Sequence, residues 1–207
     1  FAARGLTRDL DLQVSIPFVM SNTEGGLQDA QAFLKWLPLH VHIGEGVLSG
    51  GAAMGYSLPM SDYATEGLGA IGQQATSVIP MGAVQYRWNT GLFTSLVGGL
   101  TLSDDPVPSN THFTFRLGKA TADNYWEAYF QWQQADGGKD YRGTGDRAPS
   151  TFRELGVDFT RLGGKWFFPM SERVGLVADM NYTLSGRNID QALMVAGSIV
   201  WRFPRGK

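Results

Sequence analysis

Apolar and polar residues alternate along most of this chain, and the pattern is clearest near its end. Val174, Leu176, Ala178, Met180, Tyr182 and Leu184 form one set of alternate positions, against Gly175, Val177, Asp179, Asn181, Thr183 and Ser185. Period two with one apolar and one polar face marks a β-strand lying between two different environments. After a turn-rich break at Gly186-Arg187-Asn188, a second strand sets Leu193, Val195, Gly197, Ile199, Trp201 and Phe203 against Ala192, Met194, Ala196, Ser198, Val200 and Arg202. The two make a hairpin whose apolar face ends on aromatic residues.

The same alternation runs through the rest of the chain. Phe1 to Arg4 reads as the tail of a strand, followed by a turn at residues 5–9. Leu10, Leu12, Val14, Ile16, Phe18 and Met20 share a face, and Ser21 to Gln28, with Asn22 and Gly25-Gly26, reads as a loop. Ala30, Ala32, Leu34 and Trp36 then oppose Gln31, Phe33 and Lys35 in a strand predicted to end at Pro38, with His40 to Gly46 reversing the chain. Leu48, Ala52, Met54, Tyr56 and Leu58 oppose the small residues Ser49, Gly51, Ala53, Gly55 and Ser57. Beyond a Gly-rich loop over 61–76, Val78, Val84, Tyr86 and Trp88 oppose Met81, Ala83, Gln85 and Arg87.

A turn at Asn89-Thr90-Gly91 precedes outward-facing Leu92, Leu96, Leu100 and Leu102, and a loop follows over 104–110. Phe113, Phe115 and Leu117 oppose His112, Thr114 and Arg116 up to a turn at Ala122-Asp123-Asn124. Trp126, Ala128, Phe130 and Trp132 oppose Glu127, Tyr129, Gln131 and Gln133, and 135–150 reads as a second long loop. A strand from about Phe152 sets Leu155, Val157 and Phe159 against Glu154, Gly156 and Asp158, after which Leu162, Trp166 and Phe168 become the apolar set. That slip of phase predicts a β-bulge within Thr160 to Gly163.

Short breaks at 5–9, 40–46, 89–91, 122–124 and 171–173 alternate with generally longer ones at 21–28, 61–76, 103–110, 135–151 and 186–191. Outer-membrane barrels alternate periplasmic turns and extracellular loops in this way. Pro17, Pro38, Pro59, Pro80 and Pro169 fall near inferred strand ends, where a missing N–H costs least. The expected fold is therefore all-β: a single domain over 1–207 forming a transmembrane antiparallel up-and-down barrel. About eleven strands are visible and bacterial single-chain barrels have even numbers, so the expectation is about 12 strands, with the first outside this sequence. An open seam facing lipid would strand backbone groups at several kcal/mol each.

Composition narrows this further. The chain is 43% hydrophobic and 17% charged, yet no run of roughly 18 uncharged apolar residues occurs, which excludes a helical membrane protein. The 27 glycines suit tight turns and close strand contacts. A net charge of −2 gives no electrostatic case for nucleic acid, and none is expected as a partner. With no cysteine there is neither a disulfide nor a thiolate metal site. No signal peptide is visible, so an exported protein would be represented here by a processed or incomplete form.

The strand ionisables gather on the polar face: Asp11, Lys35, Arg87, Arg116, Glu127, Glu154, Asp158, Lys165, Asp179 and Arg202. A lipid-facing Arg or Lys costs roughly 2–4 kcal/mol at the midplane, so this segregation marks the face as lumen-lining. Opposite charges pairing to fill a narrow lumen are the simpler role; a charged constriction that screens solutes is the alternative. Trp36, Trp88, Trp126, Trp166 and Trp201 fall near the inferred periplasmic ends, and Phe18, Tyr56, Trp132 and Tyr182 near the other rim, as interfacial girdles do. His40 and His42, with Glu45 nearby, form too sparse a set to predict a metal site. Ser109, His112 and Asp104 have the residue types of a Ser-His-acid enzyme but no nucleophile motif around them. No catalytic residue, metal or cofactor is predicted.

Several short motifs carry a resemblance. Gly5-Leu6-Thr7-Arg8-Asp9-Leu10, Ile16-Pro17-Phe18-Val19, Gly26 to Gln31 with Lys35-Trp36, Tyr56-Ser57-Leu58-Pro59 and Tyr182 to Asn188 resemble the outer-membrane family named for the meta-pathway of phenol degradation. Trp36 stands where that family more often has Tyr, and Gln28 where it often has Gly. The resemblance implies an outer-membrane location, lipid as surroundings and transport of small hydrophobic or aromatic solutes, with no catalytic residues to carry over. The expectation is thus a non-enzymatic channel or transporter in the bacterial outer membrane. A scaffold barrel with a plugged lumen and a protein partner is the alternative, and an outer-membrane lipid-modifying enzyme the third. A soluble barrel would have to show continuous bands of Leu, Phe and Trp to water.

Overall fold

A computed structural model describes residues 1–20, 25–66, 70, 72–121 and 124–203. Strand accounts for 66% of the described residues and helix for 3%, so the protein is all-β. The strands are β1 (Ala2–Gly5), β2 (Leu10–Ser15), β3 (Phe18–Met20), β4 (Gly25–Leu27), β5 (Asp29–Ile43), β6 (Gly46–Pro59), β7 (Ser77–Trp88), β8 (Leu92–Ser103), β9 (Asn110–Ala120), β10 (Tyr125–Ala135), β11 (Asp158–Pro169), β12 (Val174–Arg187) and β13 (Leu193–Trp201). Eleven of them form one sheet in the order β1-β2-β5-β6-β7-β8-β9-β10-β11-β12-β13, and β3 and β4 pair as a separate hairpin. Every pairing between named strands is antiparallel. The sheet is not closed: β1 and β13 are its two edges. Among the described residues no helix is long and apolar enough to cross a membrane.

The alternation read from the sequence reappears as an alternation of exposure, with its sign inverted relative to a water-soluble core. On β12, Leu176, Met180 and Tyr182 are 40%, 55% and 43% exposed, while their neighbours Asn181 and Thr183 are 4% and 3% exposed. The buried polar set also includes Glu127, Ser57, Ser77 and Ser95, and no large side chain is fully buried. A compact protein of this mass would expose about 9,500 Å²; this chain exposes 13374 Å². The polar face is the concave one. Across it, the Tyr129 hydroxyl on β10 reaches past β11 to donate to Asp179 on β12 at 2.8 Å.

The ends of the sheet differ. Strands joined by 6–9, 44–45, 89–91, 121–124 and 170–173 turn tightly at one end, while 60–76, 104–109, 136–157 and 188–192 link them at the other. Two short 3-10 turns, Gly145–Arg147 and Phe152–Glu154, lie in the longest of these connections.

Several details depart from the sequence reading. The strand predicted to stop at Pro38 continues to Ile43, because the pairing of β5 with β6 jumps from Trp36↔Ala52 to Leu39↔Gly50. The one extra residue is a bulge, the place inside a sheet that tolerates a missing proline N–H. Pro80 lies inside β7, in a gap between the pairs Val78↔Leu102 and Met81↔Gly99. The strand from Leu10 breaks at Ile16-Pro17, and Gly25–Leu27, expected in a loop, pairs with Phe18–Met20. The rest of that loop, including Asn22, and Ala122-Asp123 of a predicted turn lie outside the described residues.

The strand expected from Phe152 begins only at Asp158. The phase slip near Thr160 is present, but its extra residue, Leu184, sits on β12, between the pairs Arg161↔Thr183 and Thr160↔Ser185. Phe159 consequently belongs to the polar face, with the Arg161 guanidinium 4.5 Å above its ring. Arg187, read as part of a turn, is the last residue of β12.

Candidate functional site

The polar face carries one charge from each of four successive strands. Arg116 on β9, Glu127 on β10, Lys165 on β11 and Asp179 on β12 line up because antiparallel register sets Glu127 opposite Lys165 and Lys165 opposite Asp179. Arg116 Nε lies 3.8 Å from Glu127 Oε2, Lys165 Nζ 3.8 Å from Glu127 Oε1, and Lys165 Nζ 3.3 Å from Asp179 Oδ2. Glu127 is 6% exposed and also accepts the hydroxyl of Tyr125. Each acid thus faces both a base and a tyrosine hydroxyl, so its oxygens are partnered where water is scarce. Tyr129 reaches its carboxylate because Gly163 lies directly opposite on β11. A Cβ at Gly163 would come within 2.3 Å of the Tyr129 ring.

The remaining predicted lumen-lining residues fall outside this ladder. Asp11 and Lys35 are a separate cross-strand ion pair at 2.8 Å between β2 and β5. Arg87, at the short-turn end of β7, reaches the carbonyl of Ala120 at 3.4 Å. Arg202 follows β13 and lies 5.0 Å above the Phe167 ring. Asp158 begins β11, where it pairs with Arg187 Nε at 3.0 Å and accepts the Ala135 N–H at 2.7 Å. Glu154 is not a strand residue at all, but closes a 3-10 turn in the long connection between β10 and β11.

At the long-connection end, segments distant in sequence are tied together. Arg153 donates to the carbonyls of Gln73 and Gln74 at 2.9 and 3.0 Å, and the Phe152 N–H donates to the Glu66 carboxylate at 3.1 Å. Glu154 accepts from the backbone and hydroxyl of Ser150 and pairs with Lys139 at 3.0 Å. These donors, Ser150 first, hold its carboxyl at about 2. Tyr63 is buried, donates to Asp29 and accepts the Gln74 N–H; burial first, then Asp29, pushes its hydroxyl above the ordinary tyrosine range. Asn188, in the left-handed region at φ 56, bridges Lys139 and Gly156 with its amide. An open cleft of about 640 Å³, lined by Asp105, Val107, Ser109, Asp136, Lys139 and Glu154 among others, lies between two of these connections.

Both histidine sets have partners other than those weighed from the sequence. His112 Nδ1 lies 3.4 Å from Thr101 Oγ1 and 3.3 Å from Asn110 Oδ1. Ser109 Oγ instead accepts the Ser103 N–H, and Asp104 accepts the Thr76 N–H, so Ser109, His112 and Asp104 form no relay. No group of three potential metal ligands occurs among the described residues. His40, weighed only as a metal ligand, has Ser49 Oγ at 2.9 Å on Nδ1 and Asp9 Oδ1 at 3.0 Å on Nε2. The signal for this was present in the sequence: Leu39, Val41 and Ile43 alternate out of phase with Leu34 and Trp36, which puts His40 with Ser49. The aromatic residues Trp36, Trp166 and Trp201 do occupy the exposed apolar face.

Comparison with known proteins gave no match to a family model, a curated protein or a solved structure.

Proposed function

We propose that the chain is an outer-membrane β-barrel channel giving passage to small apolar or aromatic solutes. The observation that carries this reading is the inverted burial: apolar side chains exposed along the convex face of a curled sheet, and Glu127, Asn181 and a set of hydroxyls covered on the concave one. In water such a face would be a very large unpartnered apolar patch; in lipid it is the surface expected of a spanning barrel. Short turns at one end and long, mutually bonded connections at the other match a periplasmic and an extracellular side. Trp36, Trp166 and Trp201 on the lipid-facing side then settle at the headgroup level.

Because the eleven strands alternate in direction, β1 and β13 run the same way. Purely antiparallel closure therefore takes one further strand between them, giving the even number usual for such barrels. The concave charges pair from strand to neighbouring strand along the wall, so they neutralise each other and need not bridge the lumen. Beside them, on β6 to β8, lies an uncharged wall in which the small residues Ser49, Gly51, Ala53, Gly55, Ala83, Val97 and Gly99 outnumber the larger Ile79, Met81 and Gln85. That wall is the surface an apolar solute would follow.

The test is flux through the purified protein in planar bilayers and liposomes. Single-channel conductance together with uptake of phenol-sized solutes is expected. A folded barrel that neither conducts nor admits such solutes would leave a plugged scaffold as the better reading.

A further inference from the structure

We infer that Ser49, His40 and Asp9 form a nucleophile, base and orienting acid able to cleave small apolar esters at the short-turn end of the concave face. The three come from separate elements: Asp9 from the turn before β2, His40 from β5 and Ser49 from β6. They meet because of the bulge at Leu37-Pro38. Without that one extra residue His40 would point to the apolar face; with it, His40 is the direct cross-strand neighbour of Ser49. Bulges re-aim side chains in this way beside active sites. Asp9 is itself fixed, its carbonyl accepting the Leu37 N–H at 2.8 Å and its own N–H donating to Thr7 Oγ1 at 3.3 Å.

The bonding pattern assigns the protons. A carboxylate only accepts, so His40 Nε2 bears the hydrogen given to Asp9 Oδ1 at 3.0 Å. Nδ1 is then the free lone pair and accepts the Ser49 hydroxyl at 2.9 Å. The nitrogens are used in the opposite order from the usual serine-hydrolase arrangement, but each proton has the same route. The side chains of His40 and Asp9 are 34% and 33% exposed, so a substrate can approach. Gln85 is the cross-strand neighbour of Ser49 on its other side, and among the described residues its side-chain amide has no partner. It is placed to donate to a developing oxyanion. Gly51, Ala53 and Ala83 around the serine are small and uncharged, which suits a short acyl group.

In the reaction, Ser49 Oγ attacks the ester carbonyl carbon while its proton passes to His40 Nδ1. The carbon–oxygen bond to the alcohol breaks, His40 returns the proton to the departing alkoxide, and the acyl group stays on Ser49. Water, deprotonated by His40, then attacks the acyl carbon; the acid leaves and Ser49 regains its proton.

The test uses the full chain folded in detergent micelles, a fluorophosphonate probe with mass-spectrometric mapping, and 4-nitrophenyl acetate turnover. Folding of each variant is checked by gel mobility without boiling. The expected result is labelling at Ser49, abolished in Ser49→Ala and slowed about 100-fold or more in the near-isosteric His40→Gln. Gln85→Ala should lower kcat by roughly 100-fold with KM unchanged. A folded wild-type chain that is unlabelled, is labelled at another serine, or reacts as fast in His40→Gln overturns the assignment. Conductance and solute uptake are read on the same wild-type preparation, so a chain that conducts but is not labelled overturns this assignment alone, and one that is labelled but does not conduct overturns the channel reading alone.

Discussion

The concave face has two unlike halves. On β9 to β12 it is built from Arg116, Glu127, Tyr129, Arg161, Lys165, Phe167 and Asp179; on β6 to β8, away from Arg87, it is built chiefly from serine, alanine, glycine and valine. The first half satisfies its charges laterally, strand to strand, and makes room for its rings with glycines such as Gly163 beneath Tyr129. The second has little to satisfy and projects little into the interior. One curled sheet thus separates two tasks that a uniformly charged lining would mix. A dense polar wall holds neighbouring strands together, and a smooth wall leaves space beside it.

Four substitutions test that division, and the ladder should give the largest effect. Glu127→Leu removes the buried centre of the network, leaving Arg116 and Lys165 without it. The cost of breaking a buried pair is about 3–5 kcal/mol, reduced here to roughly 2–3 because both bases are about a third exposed. Urea titration of the protein refolded into lipid should show that loss, and an unchanged midpoint would mean the ladder is ornamental. Gly163→Val comes next: the new side chain must displace Tyr129 and break its bond to Asp179, at about 1–3 kcal/mol of overpacking. Its urea midpoint should fall while Gly82→Ala, whose Cβ would meet nothing within 4 Å, stays near wild type.

On the smooth wall the order of effects reverses. Ala83→Lys should change stability by less than about 1 kcal/mol, since it breaks no existing interaction. It should nevertheless lower the flux of apolar solutes clearly. Equal uptake by Ala83→Lys and wild type would show that this wall is not the path.

The smallest effect lies outside both halves. Glu154 has its carboxyl held at about 2, against an ordinary 4.5. A depressed acid contributes stability that is complete above its unfolded value and is lost as pH falls through its folded one. Amide protection in the 136–157 connection, the exchange rate taken relative to that of an unstructured chain at the same pH, should therefore fall between about pH 4.5 and 2, and in Glu154→Gln it should already be lower at neutral pH and change little over that range.

Much of this was legible in the sequence, for a physical reason. Where a strand has one exposed apolar face and one covered polar face, alternation fixes which side chains share a face, and the faces of β6 to β10, and of β12 as far as Thr183, follow it residue by residue. The reading failed where alternation is interrupted. A proline at a bulge looks like a strand end, so the extension of β5 and the meeting of His40 with Ser49 were missed. The bulge by Thr160 was detected but assigned to the wrong strand, because a phase slip between two strands does not reveal which one carries the extra residue. Glu154 looked like a strand acid because a short 3-10 turn has no period of its own.

In the proposed barrel the exposed apolar face meets lipid and the concave face meets water. The chain contains no cysteine, so single cysteines can be introduced along β12 without background. Leu176→Cys, Ala178→Cys, Met180→Cys and Tyr182→Cys would sample one face; Val177→Cys and Asp179→Cys, clear of the covered Asn181 and Thr183, would sample the other. In liposome-reconstituted protein, a water-soluble maleimide should label the second set and spare the first, giving period two along the strand. Equal labelling of both sets, or labelling of the apolar set alone, would contradict the account.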